Sequence, residues 1–200
     1  MKIGVFGGSF NPPHKMHEKI AKDLVNRQIV DKIIFVPTGG QYKYKSNLVD
    51  DQKRYEMIKL ITNKDERLVV SDYELKDHVV YTCETLAHFK EEYPNDEIYF
   101  ICGTDNLSYI DKWKNGEEIL RNYKILVIDR SSNDISELLE QFKEYKNNIV
   151  VAPIEQVDIS STGVRELIVK RNYKELEKYL YKDIIEYIKK NKLYENGELK

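Results

Sequence analysis

Residues 2–17 read Lys2-Ile-Gly-Val-Phe-Gly-Gly-Ser-Phe-Asn-Pro-Pro-His-Lys-Met-His17. The apolar and small residues of Lys2–Phe6 are typical of a β-strand, and an amphipathic pattern begins at His17, so the stretch predicts a strand that leads into a helix. Between them, Gly7 and Gly8 let the backbone approach a ligand without a Cβ in the way. The N-terminus of the helix presents free N–H groups and a positive dipole end, which favour a bound phosphate.

Two of the four histidines of the chain lie in the same stretch. His14 and His17 are three residues apart and therefore fall on one face of the first helical turn. A Gly-Gly pair alone occurs in many tight turns, and two histidines at this spacing are more often plain surface residues. Their occurrence together indicates a polyphosphate site with two imidazoles directed at it.

Short apolar runs alternate with longer amphipathic stretches along the rest of the chain. Because strands that alternate with helices form βαβ units, this pattern predicts an α/β fold with a Rossmann-like, doubly wound and mostly parallel sheet. Helical patterns span 17–27, 50–61, 82–93, 116–120 and 135–145, and the chain is helical in pattern from Ser161 onward. The predicted strands are Lys2–Phe6, Lys32–Val36, Leu68–Val70, Glu97–Ile101, Lys124–Ile128 and Asn148–Val151.

The length of 200 residues fits one domain. No long linker, repeat or low-complexity tract divides the chain, so residues 1–200 are expected to form a single domain, with an α/β core over 1–158 and a helical C-terminal cap over 159–194. Ligands of open parallel sheets bind outside the carboxyl ends of the strands. Gly7-Gly8 and Gly103-Thr-Asp105 are therefore expected at the same edge of the sheet.

The composition excludes several classes of partner. No apolar run approaches the roughly 20 residues that cross a bilayer, and the chain shows no signal-peptide pattern, so no membrane partner is expected. Cys83 and Cys102 lack metal-ligand spacing, which favours a reduced, cytoplasmic protein. The net charge of −2 argues against a nucleic-acid partner. The oligomeric state stays open, a homo-oligomer included.

A second candidate site is the stretch Asp158-Ile-Ser-Ser-Thr-Gly-Val-Arg165. Ser160, Ser161 and Thr162 are strong N-cap residues ahead of an apolar helical pattern, and capping alone would explain them. Arg165, however, lies one turn into that helix on the same side as Ser161 and Thr162. Since the arginine fork binds phosphate oxygens in pairs, the stretch predicts a second phosphate cradle.

A third candidate site follows the predicted strand 97–101. Gly103 comes just after the strand, and the carboxylate of Asp105 is placed to accept hydrogen bonds from ribose hydroxyls. Trp113 is the sole tryptophan of the chain. Its indole either packs in the core or offers a flat surface on which a ligand ring stacks.

The loop after the second strand is a fourth candidate. It reads Pro37-Thr-Gly-Gly-Gln-Tyr-Lys-Tyr-Lys45, and its glycine pair and lack of apolar periodicity are typical of a mobile loop. Lys43 or Lys45 could swing onto a phosphate as a point charge, although solvated loop lysines are the more common case.

These motifs resemble the signatures of the nucleotidyltransferase superfamily. Gly7-Gly-Ser-Phe-Asn-Pro-Pro-His-Lys-Met-His17 is similar to GG(S/T)F(D/N)PxHxGH, and Ile159-Ser-Ser-Thr-Gly-Val-Arg165 is similar to ISSTxxR. Two stretches resemble one branch, the bacterial nicotinate-mononucleotide adenylyltransferases. Residues 103–113 are similar to its GADxxxxxxxW segment, and Val80-Tyr-Thr-Cys-Glu-Thr-Leu86 is similar to its SYTxDTL. The likeness runs through Tyr194.

The resemblance implies an adenylyltransferase of NAD biosynthesis. The 5′-phosphate of nicotinate mononucleotide would attack the α-phosphorus of ATP, pyrophosphate would leave and deamido-NAD would form. His14, His17 and Arg165 would be the catalytic residues, holding the ATP phosphates and the charge on the transferring group. Mg²⁺ would be the cofactor, held by phosphate oxygens and not by a protein cage. The implied ATP site comprises Gly7, Gly8, Ser9, Phe10, Ser161 and Thr162.

The sequence departs from the family pattern mainly on the acceptor side. Val80 replaces a serine, Thr104 replaces an alanine, and the loop after the second strand lacks the family's PPHK. Nicotinamide mononucleotide and phosphopantetheine therefore stay open as acceptors. Met16 stands where the family has glycine and either crowds the turn or points into the core, so a nucleotide-binding regulator with impaired catalysis also stays open. The implied acceptor site comprises Lys43, Tyr81, Thr82, Gly103, Thr104, Asp105 and Trp113, with the indole stacked on the nicotinate ring.

Overall fold

The computed structural model describes residues 1–41, 48–129, 135–154 and 160–195, and within them a six-stranded parallel sheet forms the centre of the molecule. The strand order β3-β2-β1-β4-β5-β6 is that of a doubly wound α/β sheet, which confirms the predicted fold class. Each predicted strand is present, and β1 and β4 run two residues further than predicted. The strands are β1 (Lys2–Gly8), β2 (Lys32–Pro37), β3 (Leu68–Val70), β4 (Glu97–Gly103), β5 (Lys124–Ile128) and β6 (Ile149–Ala152).

Helices connect the strands and follow the last one. Short 3₁₀ turns lie at Ile110–Lys112 and Lys143–Tyr145. The α-helices are α1 (Lys15–Asn26), α2 (Asp51–Thr62), α3 (Thr82–Glu92), α4 (Thr104–Leu107), α5 (Gly116–Asn122), α6 (Ser136–Gln141), α7 (Ser161–Val169), α8 (Tyr173–Tyr179) and α9 (Lys182–Lys190).

One helix prediction needs correction, and two short helical elements were not predicted. The stretch 135–145 is not one helix, because the chain leaves the helical conformation at Phe142 (φ −107°, ψ 26°), whose side chain is buried in the core. The short helix α4 and the turn Ile110–Lys112 were not predicted, since neither is long enough to show a helical period in the sequence.

The core has one apolar cluster on each face of the sheet. Along β1, Val5 belongs to the cluster that includes Leu86 of α3, whereas the next residue, Phe6, belongs to the cluster that includes Ile20 and Leu24 of α1. Adjacent residues of a strand point to opposite faces, so burial of both explains why the strand sequences are continuously apolar.

A third apolar cluster joins the C-terminal helices to α2. Met57 and Ile61 of α2 pack with Val164 of α7 and with Ile184 and Ile188 of α9. The helices after Ser161 therefore lie against the α/β sheet unit through α2. The division of the chain at 158/159 stays a prediction. In the part of the chain that the structure describes, no helix is both long enough and apolar enough to span a membrane.

Candidate active site

A cavity of about 920 Å³ opens at the carboxyl ends of the central strands β1 and β4. It is lined by residues from the end of β1, the N-terminus of α3, the α4 region and the N-terminus of α7. The structure thus brings together residues from all four stretches singled out in the sequence, although the fourth contributes only Thr38 among its described residues. The predicted site residues that line it are Gly7, Gly8, Ser9, Phe10, His17, Tyr81, Thr82, Asp105, Trp113, Ser161, Thr162 and Arg165.

The loop between β1 and α1 folds tightly over its own glycines. Phe10 adopts a positive φ of 46°, and its buried ring lies against Gly8, where a Cβ would come within 3.1 Å of the ring. Position 8 is therefore filled by the loop itself. A Cβ at Gly7 would meet a side chain only at 3.9 Å, so Gly7 is the glycine with room for a ligand close to its backbone.

The two histidines occupy different positions around the start of α1. Their rings stack with centroids 3.7 Å apart and an angle of 21° between them. His17 lines the cavity and accepts a hydrogen bond at Nδ1 from the backbone N–H of His14, at 3.1 Å. This bond places the proton of the neutral His17 imidazole on Nε2.

His14 is only 4% exposed and is not among the described residues that line the cavity. It is the N-cap residue of α1 and stacks against His17. The structure therefore brings one histidine to the cavity surface and sets the other beside it.

The N-terminus of α7 is docked onto the β1–α1 loop. Arg165 donates from one Nη to the carbonyl of Asn11 at 2.9 Å and from the other to the hydroxyl of Thr162 at 3.1 Å. Its Nε is buried and has no hydrogen-bond partner among the described residues. Ser161 donates to the carbonyl of Pro12 at 3.1 Å. Arg165 and Thr162 are thus in contact, as their spacing on one side of the helix predicts, and the phosphate cradle itself stays a prediction.

The helix cap of α7 is a different residue from those in the cavity. The hydroxyl of Ser160 accepts the N–H of Gly163 at 3.1 Å and so caps the helix. Capping explains Ser160, whereas Ser161 and Thr162 line the cavity. Ile159 and Asp158 of the same motif lie outside the described residues.

Arg54 is a buried residue that the sequence analysis missed. Its side chain is 0% exposed and donates to three main-chain carbonyls, those of Val49 at 2.8 Å, Ser9 at 2.8 Å and Thr38 at 2.6 Å. It also pairs with Asp51 at 2.5 Å. One guanidinium therefore joins the loop after β1, the loop after β2 and the start of α2. Because most of these partners are distant in sequence, the role of Arg54 is visible only in the folded structure.

The opposite wall of the cavity is formed by α3 and the segment after β4. Asp105 is exposed on α4, and Trp113 is half-buried with its ring edge against Phe100, centroids 6.0 Å apart. Trp113 packs on the core and also lines the cavity, and stacking of a ligand ring on the indole stays a prediction. Gly103 and Thr104 are not among the described cavity-lining residues.

A buried carboxylate also lies on this wall and was not predicted. Glu74 accepts a hydrogen bond from the hydroxyl of Thr85 on α3 at 2.7 Å, and both residues line the cavity. The backbone there comes so close to the loop after β2 that a Cβ at Gly39 would lie 2.3 Å from the Glu74 carbonyl oxygen. Glycine is required at position 39 for this contact.

Lysines near Trp113 supply the positive charge of this wall. Lys112 and Lys114 line the cavity, and Lys114 contacts both the Glu84 carboxylate at 3.0 Å and the Tyr81 ring at 4.5 Å from its centroid. The backbone N–H of Tyr81 and the Lys114 ammonium hold the pKa of Glu84 below its usual value. Lys43 and Lys45, the lysines singled out in the sequence, lie outside the described residues.

Met16 points into the core. Its side chain is 5% exposed and belongs to the same cluster as Phe10 and Ile20. Its φ is not among the positive values of the described chain, so no glycine is needed at this position. Of the two alternatives for Met16, packing in the core is therefore the one observed.

The described residues contain no cluster of three or more His, Cys, Asp or Glu side chains that could hold a metal ion. The donors that meet around His17 and Arg165 are instead imidazole, guanidinium, hydroxyl and main-chain groups. Such a set suits the oxygens of a polyphosphate.

Comparison with known proteins also indicates a nucleotide-binding enzyme. The family described as cytidylyltransferase-like matches residues 5–167. A probable nicotinate-nucleotide adenylyltransferase of Clostridium acetobutylicum is 38% identical over 199 residues, covering 96% of this chain and 98% of the relative. A protein of the same description from Caldicellulosiruptor bescii is 36% identical over 198 residues, covering 97% and 99%.

Solved structures agree with the sequence relatives. The nicotinic acid mononucleotide adenylyltransferase of Plasmodium falciparum, complexed with NaAD, superposes with a TM-score of 0.83 at 25% identity and covers 96% of this chain and 97% of its own. The same enzyme complexed with APC gives a TM-score of 0.81.

Proposed function

The chain belongs to the nicotinate-nucleotide adenylyltransferases of the cytidylyltransferase-like family, and we propose on that basis that it transfers AMP from ATP to nicotinate mononucleotide. A 5′-phosphate oxygen of the acceptor attacks the α-phosphorus of ATP. The bond from that phosphorus to the oxygen bridging to the β-phosphorus breaks, pyrophosphate leaves and deamido-NAD forms. The acceptor phosphate is already ionised at pH 7, so catalysis consists mainly of positioning and charge stabilisation.

The observation that carries this proposal is the meeting of two phosphate-binding stretches at one cavity. The Gly7 turn and His17 come from the first βα unit, and Arg165 with Ser161 and Thr162 comes from α7. The α- and β-phosphates of ATP would lie between them. His17 donates from Nε2 to the transferring phosphoryl group, and Arg165 holds the β- and γ-phosphates.

His14 acts through its neighbour as well as through its own ring. Its backbone N–H fixes the tautomer of His17, and its ring supports the His17 ring by stacking at 3.7 Å. We assign it to the ATP side with a positioning role toward His17, and we propose that its ring also contacts phosphate when ATP is bound.

The acceptor lies on the opposite wall in this proposal. The nicotinate ring stacks on Trp113, and its carboxylate lies near the Tyr81–Thr82 backbone, where the Tyr81 N–H already donates to Glu84. Asp105 lies beside a ribose, with Gly103 and Thr104 directly before it in the chain. The lysines at positions 112 and 114 add positive charge to this wall. Lys43 of the loop after β2 remains our candidate for an additional phosphate contact.

Family members of this kind use a divalent metal ion, and we propose Mg²⁺. The described residues contain no cluster of carboxylates or imidazoles that would cage a metal ion, so the ion would be held by the phosphates of the substrates, as is common for Mg²⁺. Mg²⁺ would neutralise charge on the phosphate oxygens. We also propose a cytoplasmic location, where cysteine thiols are kept reduced.

The experiment is an acceptor panel. Purified protein is incubated with ATP and Mg²⁺ and with nicotinate mononucleotide, nicotinamide mononucleotide or phosphopantetheine, and pyrophosphate release is measured. We expect release with nicotinate mononucleotide. Turnover of another acceptor but not of nicotinate mononucleotide would contradict the assignment. ATP binding without pyrophosphate release from any acceptor would identify a nucleotide-binding regulator.

A further inference from the structure

Tyr194, near the end of the described chain, is buried behind the active site. Its side chain is only 5% exposed, although it follows the last helix, α9. Its hydroxyl donates to Oδ1 of Asn11 at 3.0 Å, and the two residues are 183 positions apart in sequence. A residue of the C-terminal segment therefore contacts the loop that carries the histidines.

Asn11 is the junction through which this contact reaches the active site. Its Oδ1 also accepts the backbone N–H of Val49 at 3.2 Å, and its main-chain carbonyl accepts Nη1 of Arg165 at 2.9 Å. Asn11 itself lines the cavity. The position of one loop residue is thus tied to the C-terminal segment, to the segment ahead of α2 and to the arginine of α7.

The Tyr194 hydroxyl lies within reach of the charges of two arginines, Arg54 and Arg165. Burial raises the pKa of Tyr194, while the nearby charges of Arg54 and Arg165 act in the opposite direction. The phenol therefore stays protonated and serves as a hydrogen-bond donor to Asn11 across the working pH range.

Two other C-terminal tyrosines provide an internal comparison. Tyr181 donates its hydroxyl to Glu18 of α1, and Tyr187 donates to Glu56 of α2. Both bonds join the C-terminal helices to the rest of the molecule, as the Tyr194 bond does. Neither carboxylate is among the described residues that line the cavity.

We propose that Tyr194 is a positioning residue of the active site, which holds Asn11 and, through its carbonyl, Arg165 in the geometry that binds the ATP phosphates. The C-terminal segment then forms part of the nucleotide site and is more than a cover for α2. The inference rests on the proposed function for its reaction, but its effect falls on ATP and does not depend on the acceptor.

The test compares three single-hydroxyl deletions, Tyr194→Phe, Tyr181→Phe and Tyr187→Phe. For each variant, ATP affinity is measured by calorimetry with Mg²⁺, kcat and both KM values by pyrophosphate release, and Tm by thermal unfolding. We expect Tyr194→Phe to weaken ATP binding and raise the ATP KM about 5- to 10-fold, in the upper part of the range for one neutral hydrogen bond. The acceptor KM should change by less than about twofold.

The two control variants should keep ATP affinity, kcat and KM within about twofold of wild type, whatever their Tm. The proposal would be overturned if Tyr194→Phe kept the ATP affinity of wild type. It would also be overturned if all three variants lost ATP affinity to the same extent. Because calorimetry needs no acceptor, this result stands even if nicotinate mononucleotide proves not to be the substrate.

A double-mutant cycle with Asn11→Ala tests whether Tyr194 acts on the ATP site through Asn11. If Tyr194 acts through Asn11, Tyr194→Phe causes no further loss of ATP affinity once Asn11 is alanine. Fully additive losses would show that Tyr194 acts by another path and would overturn the proposed route.

Discussion

The histidine at position 17 illustrates how a single hydrogen bond sets the chemistry of a residue. The backbone N–H of His14 occupies Nδ1 of His17, so the other ring nitrogen carries the proton. The ring is further held edge-on by Phe10, with centroids 4.9 Å apart. Its position at the cavity wall, and not in the core, separates its effect on catalysis from its effect on stability.

We expect His17→Ala to lower kcat by about 10²–10³-fold, the loss typical of one preorganised donor, and to shift Tm by only a few degrees. Pyrophosphate release and thermal unfolding measure the two effects. His88→Ala is the matched control, since His88 stacks on Tyr73 with centroids 3.8 Å apart and is not among the described cavity residues. An unfolded or fully active His17→Ala protein would contradict the placement.

Trp113 reports on the acceptor because it is the sole tryptophan of the chain. If the nicotinate ring stacks on the indole, adding nicotinate mononucleotide should change its fluorescence clearly, and ATP alone should change it less. Equal responses to ATP and to nicotinate mononucleotide would place the indole away from the acceptor ring.

At the scale of elements, Arg54 joins two loops and a helix that are far apart in sequence. Its guanidinium fills the corner between the ends of β1 and β2 and the start of α2, where three main-chain carbonyls point inward. Without it, these partly buried carbonyls would lose the donor that the Arg54 side chain supplies, and an unpaired buried acceptor is costly.

Arg54→Met should therefore destabilise the protein by about 3–5 kcal/mol, or roughly 10 °C in Tm, and also lower kcat because the Ser9 carbonyl loses its anchor. Arg54→Lys, which keeps the charge but not the fork, should fold and show a smaller loss of both. Both variants are assayed by thermal unfolding and pyrophosphate release.

The control for this prediction is Arg67→Met. Arg67 pairs with Asp65 at the other end of the sheet, just before β3, and its side chain is 42% exposed. We expect a stability loss of about 1 kcal/mol and an unchanged kcat. If Arg54→Lys kept full activity while losing stability, Arg54 would be only a structural anchor.

The positions of the strands and helices were the features of the fold that could best be predicted from the sequence. The strand predictions agree with the structure to within two residues, because each strand is a short apolar run and the central strands β1, β2, β4 and β5 are buried on both faces. The prediction of one helix over 135–145 was wrong. The helix ends where the Phe142 side chain packs into the core, and the local periodicity of the sequence does not encode such a tertiary contact.

At the scale of the whole molecule, the site is formed by segments that are far apart in sequence. The motif residues at 7–17 and 161–165 could be recognised from sequence because their chemistry is local: glycine turns, helix caps and an arginine one turn into a helix. Arg54, Glu74 and Tyr194 could not, because each acts through partners that only the fold brings near. Their own neighbours in sequence carry no recognisable pattern.

The central claim is that this cavity joins AMP to nicotinate mononucleotide. The most direct measurement is kcat/KM for nicotinate mononucleotide and for nicotinamide mononucleotide under the same conditions, with the dinucleotide product identified by mass spectrometry. The account predicts deamido-NAD as the product and a preference of at least about tenfold for the carboxylate-bearing acceptor. Equal or greater kcat/KM for the amide, or no dinucleotide from either acceptor, would contradict it.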